Sequence, residues 1–239
     1  MNGTETAVIF GVGPGLGLSL VKACAGAGMA AVGAARNGVR LGGLLHGIPG
    51  TVVARSCDAT REEQVQALFQ SVREQFGAPG LVVFNAGAFV PRGILETDAE
   101  EFERCWRTGC LGGFLVGREA ARVMLERPER AGSGTIIFTG ATASLRGSAR
   151  FHNLAVGKFG LRALAQSMAR ELGPRGIHVA HVIIDGQIDS GRDGDRDEER
   201  GNDAALHPDA IAASYLALHR QPRNAWTQEQ DLRPWVEKF

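Results

Sequence analysis

The sequence predicts an α/β architecture, a doubly wound parallel sheet of about seven strands with helices on both faces. Two observations carry this. Short, continuously apolar runs recur along the chain, and longer segments of helical periodicity alternate with them. Because the runs are apolar without alternation, both of their faces must be covered, which is the situation of a parallel strand between helices. A third observation is the cluster of glycines that closes the first run, the usual strand-to-helix turn of such folds.

The elements follow in order. Ala7-Val8-Ile9-Phe10 is the first strand, and it runs into Gly11-Val12-Gly13-Pro14-Gly15-Leu16-Gly17. Glycines accept positive φ and let a pyrophosphate approach the backbone, while a helix from Leu16 to Ala27 would point its free N–H groups and positive dipole end at that anion. Leu16, Leu20, Val21 and Cys24 share one face of this helix, and Met29 to Ala34 supplies the second strand. Thr51–Arg55 reads as a strand, Glu62–Phe76 as an amphipathic helix, Leu81–Phe84 as a strand and Glu100–Leu125 as one long helix. Thr135–Phe138, a helix over His152–Leu172 and a strand over Ile177–Ile184 complete the alternation. His207-Pro208-Asp209 opens a further helix through Leu218, and Trp226 and Trp235 are expected to anchor a C-terminal tail over 226–239. Ligands of such sheets bind at the carboxyl ends of the strands, where strand order reverses.

Composition narrows the class. At 239 residues, 44% of them hydrophobic, and with no Pro/Ser-rich linker, residues 1–239 are expected to form one domain around one core. A formal net charge of +0 argues against nucleic acid or an anionic membrane as the main partner. No apolar run approaches the ~18 residues of a membrane span, and no signal-like segment opens the chain, so the expected location is cytoplasmic. Cys24, Cys57, Cys105 and Cys110 have no metal-ligand spacing and read as reduced thiols. The charged stretch Gly191–Asp203 contains Asp193, Asp195 and Asp197, but Glu198 and Ala204 occupy the positions where a calcium loop needs Gly and Glu, so no metal is expected.

With these motifs in place the chain resembles the short-chain dehydrogenases/reductases, single-domain Rossmann folds, over essentially its whole length. The Gly-rich turn matches at Gly11, Gly15 and Gly17, with Phe10 where the family usually has Thr. Cys57-Asp58-Ala59-Thr60 is similar to the segment whose Asp meets the adenine, and Asn85-Ala86-Gly87 to the one that closes the fourth strand beside the cofactor. Asp185-Gly186-Gln187-Ile188-Asp189-Ser190 is similar to the family's Pro-Gly-x-Val-x-Thr turn, with Asp185 in place of Pro and Ser190 in place of Thr. The resemblance therefore implies cofactor contacts from Gly11, Gly13, Gly15, Leu16, Gly17, Arg36, Asp58, Asn85, Ala86, Gly87, Lys158, Gly186, Ile188 and Ser190. It also implies a mobile substrate-side loop over about 190–206.

The departures bear on chemistry. Of the family's Asn, Ser, Tyr and Lys, the positions here hold Gly109, Ala141, Leu154 and Lys158. A Tyr beside a Lys is the usual source of the proton that a developing alkoxide needs, and Leu154 cannot supply one. The chain thus looks like a divergent subgroup that keeps the Lys, which in the family also bonds the nicotinamide ribose. Its C-terminus, Asp231-Leu232-Arg233-Pro234-Trp235-Val236-Glu237-Lys238-Phe239, reads much like that subgroup's. Candidates for remaining proton chemistry are Lys158, Asp185, His152 and Asn153, with Thr139, Thr142 and Ser144 nearby. Against these stand plainer readings: His152 and Asn153 as caps of their helix, Asp185 as a stabiliser of its own turn, His178 and His181 as partners in local hydrogen bonds.

No carboxylate stands near Ala34 to hold a ribose diol, and Arg36 could pair with a 2′-phosphate, so NADP(H) is favoured with NAD(H) possible. The functional expectation is an NADP(H)-dependent oxidoreductase with an atypical site, acting on a small carbonyl or alcohol. A non-redox lyase, isomerase or cyclase on the same scaffold, and a cofactor-binding protein without turnover, stay open. Phe102, Trp106, Phe114, Leu161, Leu164 and Met168 exceed what one sheet can cover, and the resemblance pairs these helices across a two-fold axis, so a homodimer or homotetramer is expected.

Overall fold

The structure, a computed structural model, describes residues 4–126, 134–189 and 204–237. Ser190, the acidic stretch at 193–197, most of the expected substrate-side loop, Lys238 and Phe239 lie outside the described residues. The strands are β1 (Thr6–Phe10), β2 (Ala30–Ala35), β3 (Val52–Ser56), β4 (Leu81–Phe84), β5 (Thr135–Thr139), β6 (His178–Ile184) and β7 (Glu229–Leu232). They form one seven-stranded sheet in the order β3-β2-β1-β4-β5-β6-β7, parallel at every junction. The order reverses between β1 and β4, so the ends of those two strands flank the crevice where this architecture binds ligands.

Alternate side chains of each strand enter opposite layers. Val8, Phe10, Val82, Phe84, Ile136 and Phe138 pack against α3 (Glu62–Phe76), α5 (Gly112–Leu125) and α6 (His152–Leu172). Ala7, Ile9, Leu81, Val83, Ile137 and Val182 pack against α1 (Leu16–Gly26), α2 (Gly38–Leu45) and α7 (Pro208–His219). This two-sided burial is why the strands carry no polar alternation.

The structure corrects the sequence reading at several points. The long helix predicted over Glu100–Leu125 is α4 (Ala99–Trp106) and α5 joined by a π-helical turn at Arg107–Leu111. Gly109 in that turn packs at backbone distance on Gly157 of α6, the glycines leaving room for the wider turn. The tail yields the edge strand β7, whose polar residues give no apolar period. Trp226 does anchor it, stacking on His178 with centroids 5.0 Å apart, whereas Trp235 is 82% exposed and anchors nothing among the described residues. His152 and Asn153 do not cap α6: its N-cap is Phe151, without a side-chain cap bond, and both residues lie inside the first turn.

Candidate functional site

The Gly-rich turn is shaped by close backbone approach. Gly11 has φ +79°, and a Cβ there would fall 2.5 Å from the Ala86 nitrogen; one on Gly17 would fall 2.8 Å from the Gly11 carbonyl oxygen. Any larger residue at either position would push the turn off β4 or α1 off the turn. Asn85 ties the two strand ends together, its Nδ2 donating to the Gly11 carbonyl at 3.2 Å.

Two adjoining cavities open along the carboxyl ends of the strands. One, of about 610 Å³, includes Gly11, Gly13, Arg36, Asp58, Asn85, Ala86 and Gly87 in its wall. The other, of about 390 Å³, includes Gly11, Gly13, Gly15, Leu16, Gly17, Asn85, Gly87, Ala141, Lys158, Gly186 and Ile188. Every described residue expected to touch a cofactor therefore lines one cavity or both. The sequence reading missed the far wall of the larger one, where Arg104, Arg107 and Thr108 come from α4 and the π-helical turn. Nothing short of the helix break would have pointed to them. Asp58 also serves its own loop: Oδ1 accepts from the Thr60 N–H at 3.0 Å and from its hydroxyl at 2.8 Å.

Lys158 is 6% exposed and donates to the Thr139 carbonyl at 2.6 Å. Burial pushes its ammonium down to about 8, because desolvation disfavours the charged form. The four candidates for proton chemistry are not brought together. His152 Nε2 meets the Thr97 hydroxyl at 2.9 Å, and Asn153, 1% exposed, donates to the Val90 carbonyl at 2.7 Å. Both side chains thus fasten the loop before α4 to the start of α6, and neither lines either of these two cavities. Asp185 is 4% exposed behind the wall, accepting from Thr142 Oγ1 at 2.5 Å and lying 3.5 Å from the Arg233 guanidinium. Its backbone N–H donates to the Leu232 carbonyl at 2.8 Å, extending the β6–β7 pairing by one rung that Pro could not make.

Leu154 stands one helical turn before Lys158, and the chain's sole tyrosine, Tyr215, is on α7. Its phenol is fully buried against the Thr139 hydroxyl at 2.9 Å, and burial raises its pKa. Neither strand histidine bonds locally: His178 meets the Thr227 carbonyl at 2.8 Å, and His181 reaches Ser144 and Glu229.

Comparison with known proteins places this geometry. The family model of the short chain dehydrogenases matches residues 5–200. The chain belongs to this family. The crystal structure of a short-chain dehydrogenase from Rhodopseudomonas palustris is 41% identical, with a TM-score of 0.81 over 97% of this chain and 99% of that one. Carbonyl reductase family member 4 of Danio rerio is 28% identical over 186 residues, 77% of this chain and 76% of that protein. Matches to several other curated members span about half of their length, 46% and 56% in two cases. The alcohol dehydrogenase of Thermococcus sibiricus, solved with 5-hydroxy-NADP, shares the fold at a TM-score of 0.84 and 24% identity over 98% of each chain.

Proposed function

We propose that this short-chain dehydrogenase is an oxidoreductase that binds a nicotinamide nucleotide, NADP(H) in preference to NAD(H), and acts on a small carbonyl or alcohol with a proton source other than tyrosine. One observation carries the reading: thirteen residues expected from sequence to touch the cofactor, drawn from separate segments, line two contiguous cavities across the strand-order reversal. The residues present fit such a group. Gly11 and Gly17 form a cradle that a Cβ would fill, at the N-terminus of α1 where backbone N–H groups receive a diphosphate. Arg36 at the end of β2 offers a guanidinium to a 2′-phosphate, and Lys158 a buried amine to ribose hydroxyls. When bound, the nicotinamide gives or takes a hydride. The protein's part is to hold the diphosphate and ribose and to exclude water around Lys158.

The proton is the unusual step. Leu154 and Ala141 carry no acid, and Tyr215 is sealed by Thr139 on the other side of the sheet, which supports membership of a divergent subgroup. Lys158 is the one of the four candidates that lines either of these cavities, and burial lowers its ammonium to about 8, so it is assigned the acid role as well as the ribose contact. Asp185, His152 and Asn153 are assigned support. The same vacancies favour a second reading, binding without turnover or with non-redox chemistry.

Fluorescence titration with NADPH and NADH tests the proposal. Micromolar or tighter binding of NADPH is expected, weakened about fivefold to tenfold by Arg36→Ala while NADH is unaffected. Absence of binding by either nucleotide would refute it. Slow ketone reduction that rises by about 10²-fold in Leu154→Tyr with Ala141→Ser would place the chain with the oxidoreductases. NADPH binding with no turnover in either protein would favour the second reading.

A further inference from the structure

The edge strand β7 reaches the active-site wall through two polar chains, and the direction of each bond in the first is fixed by elimination. Arg162 grips Glu229 with two bonds of 2.7 Å, and this guanidinium holds the Glu229 carboxyl below its usual range, so the carboxylate can only accept. The β6–β7 register sets His181 opposite Glu229, with Nδ1 at 3.0 Å from Oε2, so Nδ1 carries the ring proton. Burial holds the imidazole neutral, pushing it down to about 4. Nε2 is then an acceptor, and the donor 3.4 Å away is the Ser144 hydroxyl. That hydroxyl's own acceptor site takes the Ala141 N–H at 3.1 Å. Ser144 and His181 are both 0% exposed, so water does not compete. Gly140 makes room for the ring: a Cβ there would sit 2.3 Å from Nε2. The second chain is shorter. Arg233 pairs with Asp185, and Asp185 receives the Thr142 hydroxyl.

Both chains end on the segment Gly140–Ser144, which carries Ala141 in the cavity wall and follows the Thr139 carbonyl that receives Lys158. We infer that Glu229 and Arg233 are positioning residues of the active site, acting through His181–Ser144 and Asp185–Thr142 to fix that segment and the bonding of Lys158. The inference rests on the reading of the cavity as the nicotinamide nucleotide's, and it explains why the C-terminal Asp-Leu-Arg-Pro segment and the Asp in place of Pro occur in one chain.

The test uses the full chain, isotopically labelled with ¹⁵N. Wild-type His181 is expected as the neutral Nδ1–H tautomer. Glu229→Ala should abolish that tautomer and shift the Ala141 amide resonance, while Glu229→Gln, which keeps a carbonyl oxygen for Nδ1–H, preserves both. NADPH affinity should fall about fivefold in Ser144→Ala and in Glu229→Ala, and no further in the double variant, since the two residues act through one chain. Arg233→Met and Thr142→Val should do likewise for the second chain, and Glu229→Gln should stay within about twofold of wild type. An Nε2–H tautomer in the wild type, a multiplicative loss in the double variant, or wild-type affinity in both single variants would overturn the inference. If Glu229→Ala does not fold, Ser144→Ala and Glu229→Gln decide it by the same readings. If the wild type binds no nicotinamide nucleotide, the proposed function falls, and the positioning inference stands or falls on whether the Ala141 amide moves when Ser144 or Glu229 is changed.

Discussion

At the scale of the residue, Lys158 shows function set against stability. An ammonium buried with one backbone carbonyl as its partner is a net cost to the fold, and the depression of its pKa from 10.5 to about 8 makes that cost on the order of 3 kcal/mol at neutral pH. The sign follows from linkage. Below about 8 the amine is protonated in folded and unfolded states alike and the full cost is present; between about 8 and 10.5 the unfolded chain holds the extra proton, so stability rises with pH; above that window the cost is gone. Lys158→Met should therefore stabilise the nucleotide-free protein at pH 7 by roughly 1–2 kcal/mol, after allowing for the Thr139 carbonyl left unpaired. The gain should shrink as pH rises through the window, and NADPH affinity should drop by ~10-fold or more. Denaturant melts at several pH values check the first part: a destabilised variant at pH 7 would show that the amine is better solvated than its burial indicates. The Gly-rich turn, Asn85 and Lys158 were legible in the sequence because each sits at a fixed offset from a strand or helix end. The partners of Asp185 and His181 were not, since a hydrogen bond between segments distant in sequence leaves no periodic trace.

At the scale of the element, what the sequence revealed was whatever is periodic. Strands buried on both faces announce themselves by apolar runs, and β1 and β4–β6 fall within a residue or so of their expected ends. β7 is an edge strand whose Glu229 and Asp231 are neutralised by Arg162 and Arg233, so its stability comes from ion pairs that no hydropathy pattern records. The π-helical turn was hidden for a related reason: one extra residue per turn shifts the apolar face without interrupting it. The start of α6 carries a testable consequence. Asn153 to Val90, Arg150 to Pro91 at 3.3 Å, His152 to Thr97, and the Phe89–Phe151 ring pair at 4.5 Å pin the loop between β4 and α4 to that helix. Of these, Asn153 is the most deeply buried, and Asn153→Ala should cost about 1–3 kcal/mol by leaving the Val90 carbonyl unpaired. Amide exchange should accelerate over residues 88–97 while β5 and β6 stay protected. Uniform acceleration across the sheet would instead mean that Asn153 supports the whole fold.

At the scale of the whole molecule, the apolar surplus on α5 and α6 divides into a part already spent and a part still exposed. Leu161 is 0% exposed and belongs to the interior, while Leu164 and Met168 are half-buried against the core, so these three of the six residues expected at a subunit face are wholly or partly taken up by the fold itself. Phe114, Val156 and Phe159 remain 40%, 43% and 43% exposed on the two adjacent helices, and Arg118 lies over the Phe114 ring at 5.0 Å. Large apolar side chains left exposed on two neighbouring helices point to a subunit face. A two-fold axis through this face would let each residue meet its own copy, which needs only a self-complementary surface. The expected outcome is a homodimer or homotetramer in light scattering at micromolar concentration, against the 25.3 kDa of one chain. Phe159→Glu with Val156→Glu should shift the mass to that of the monomer while leaving the far-ultraviolet spectrum unchanged, because both side chains point away from the sheet's core clusters. A wild-type mass of one chain would dismiss the interface. An oligomer indifferent to both substitutions would move it to another face of the molecule.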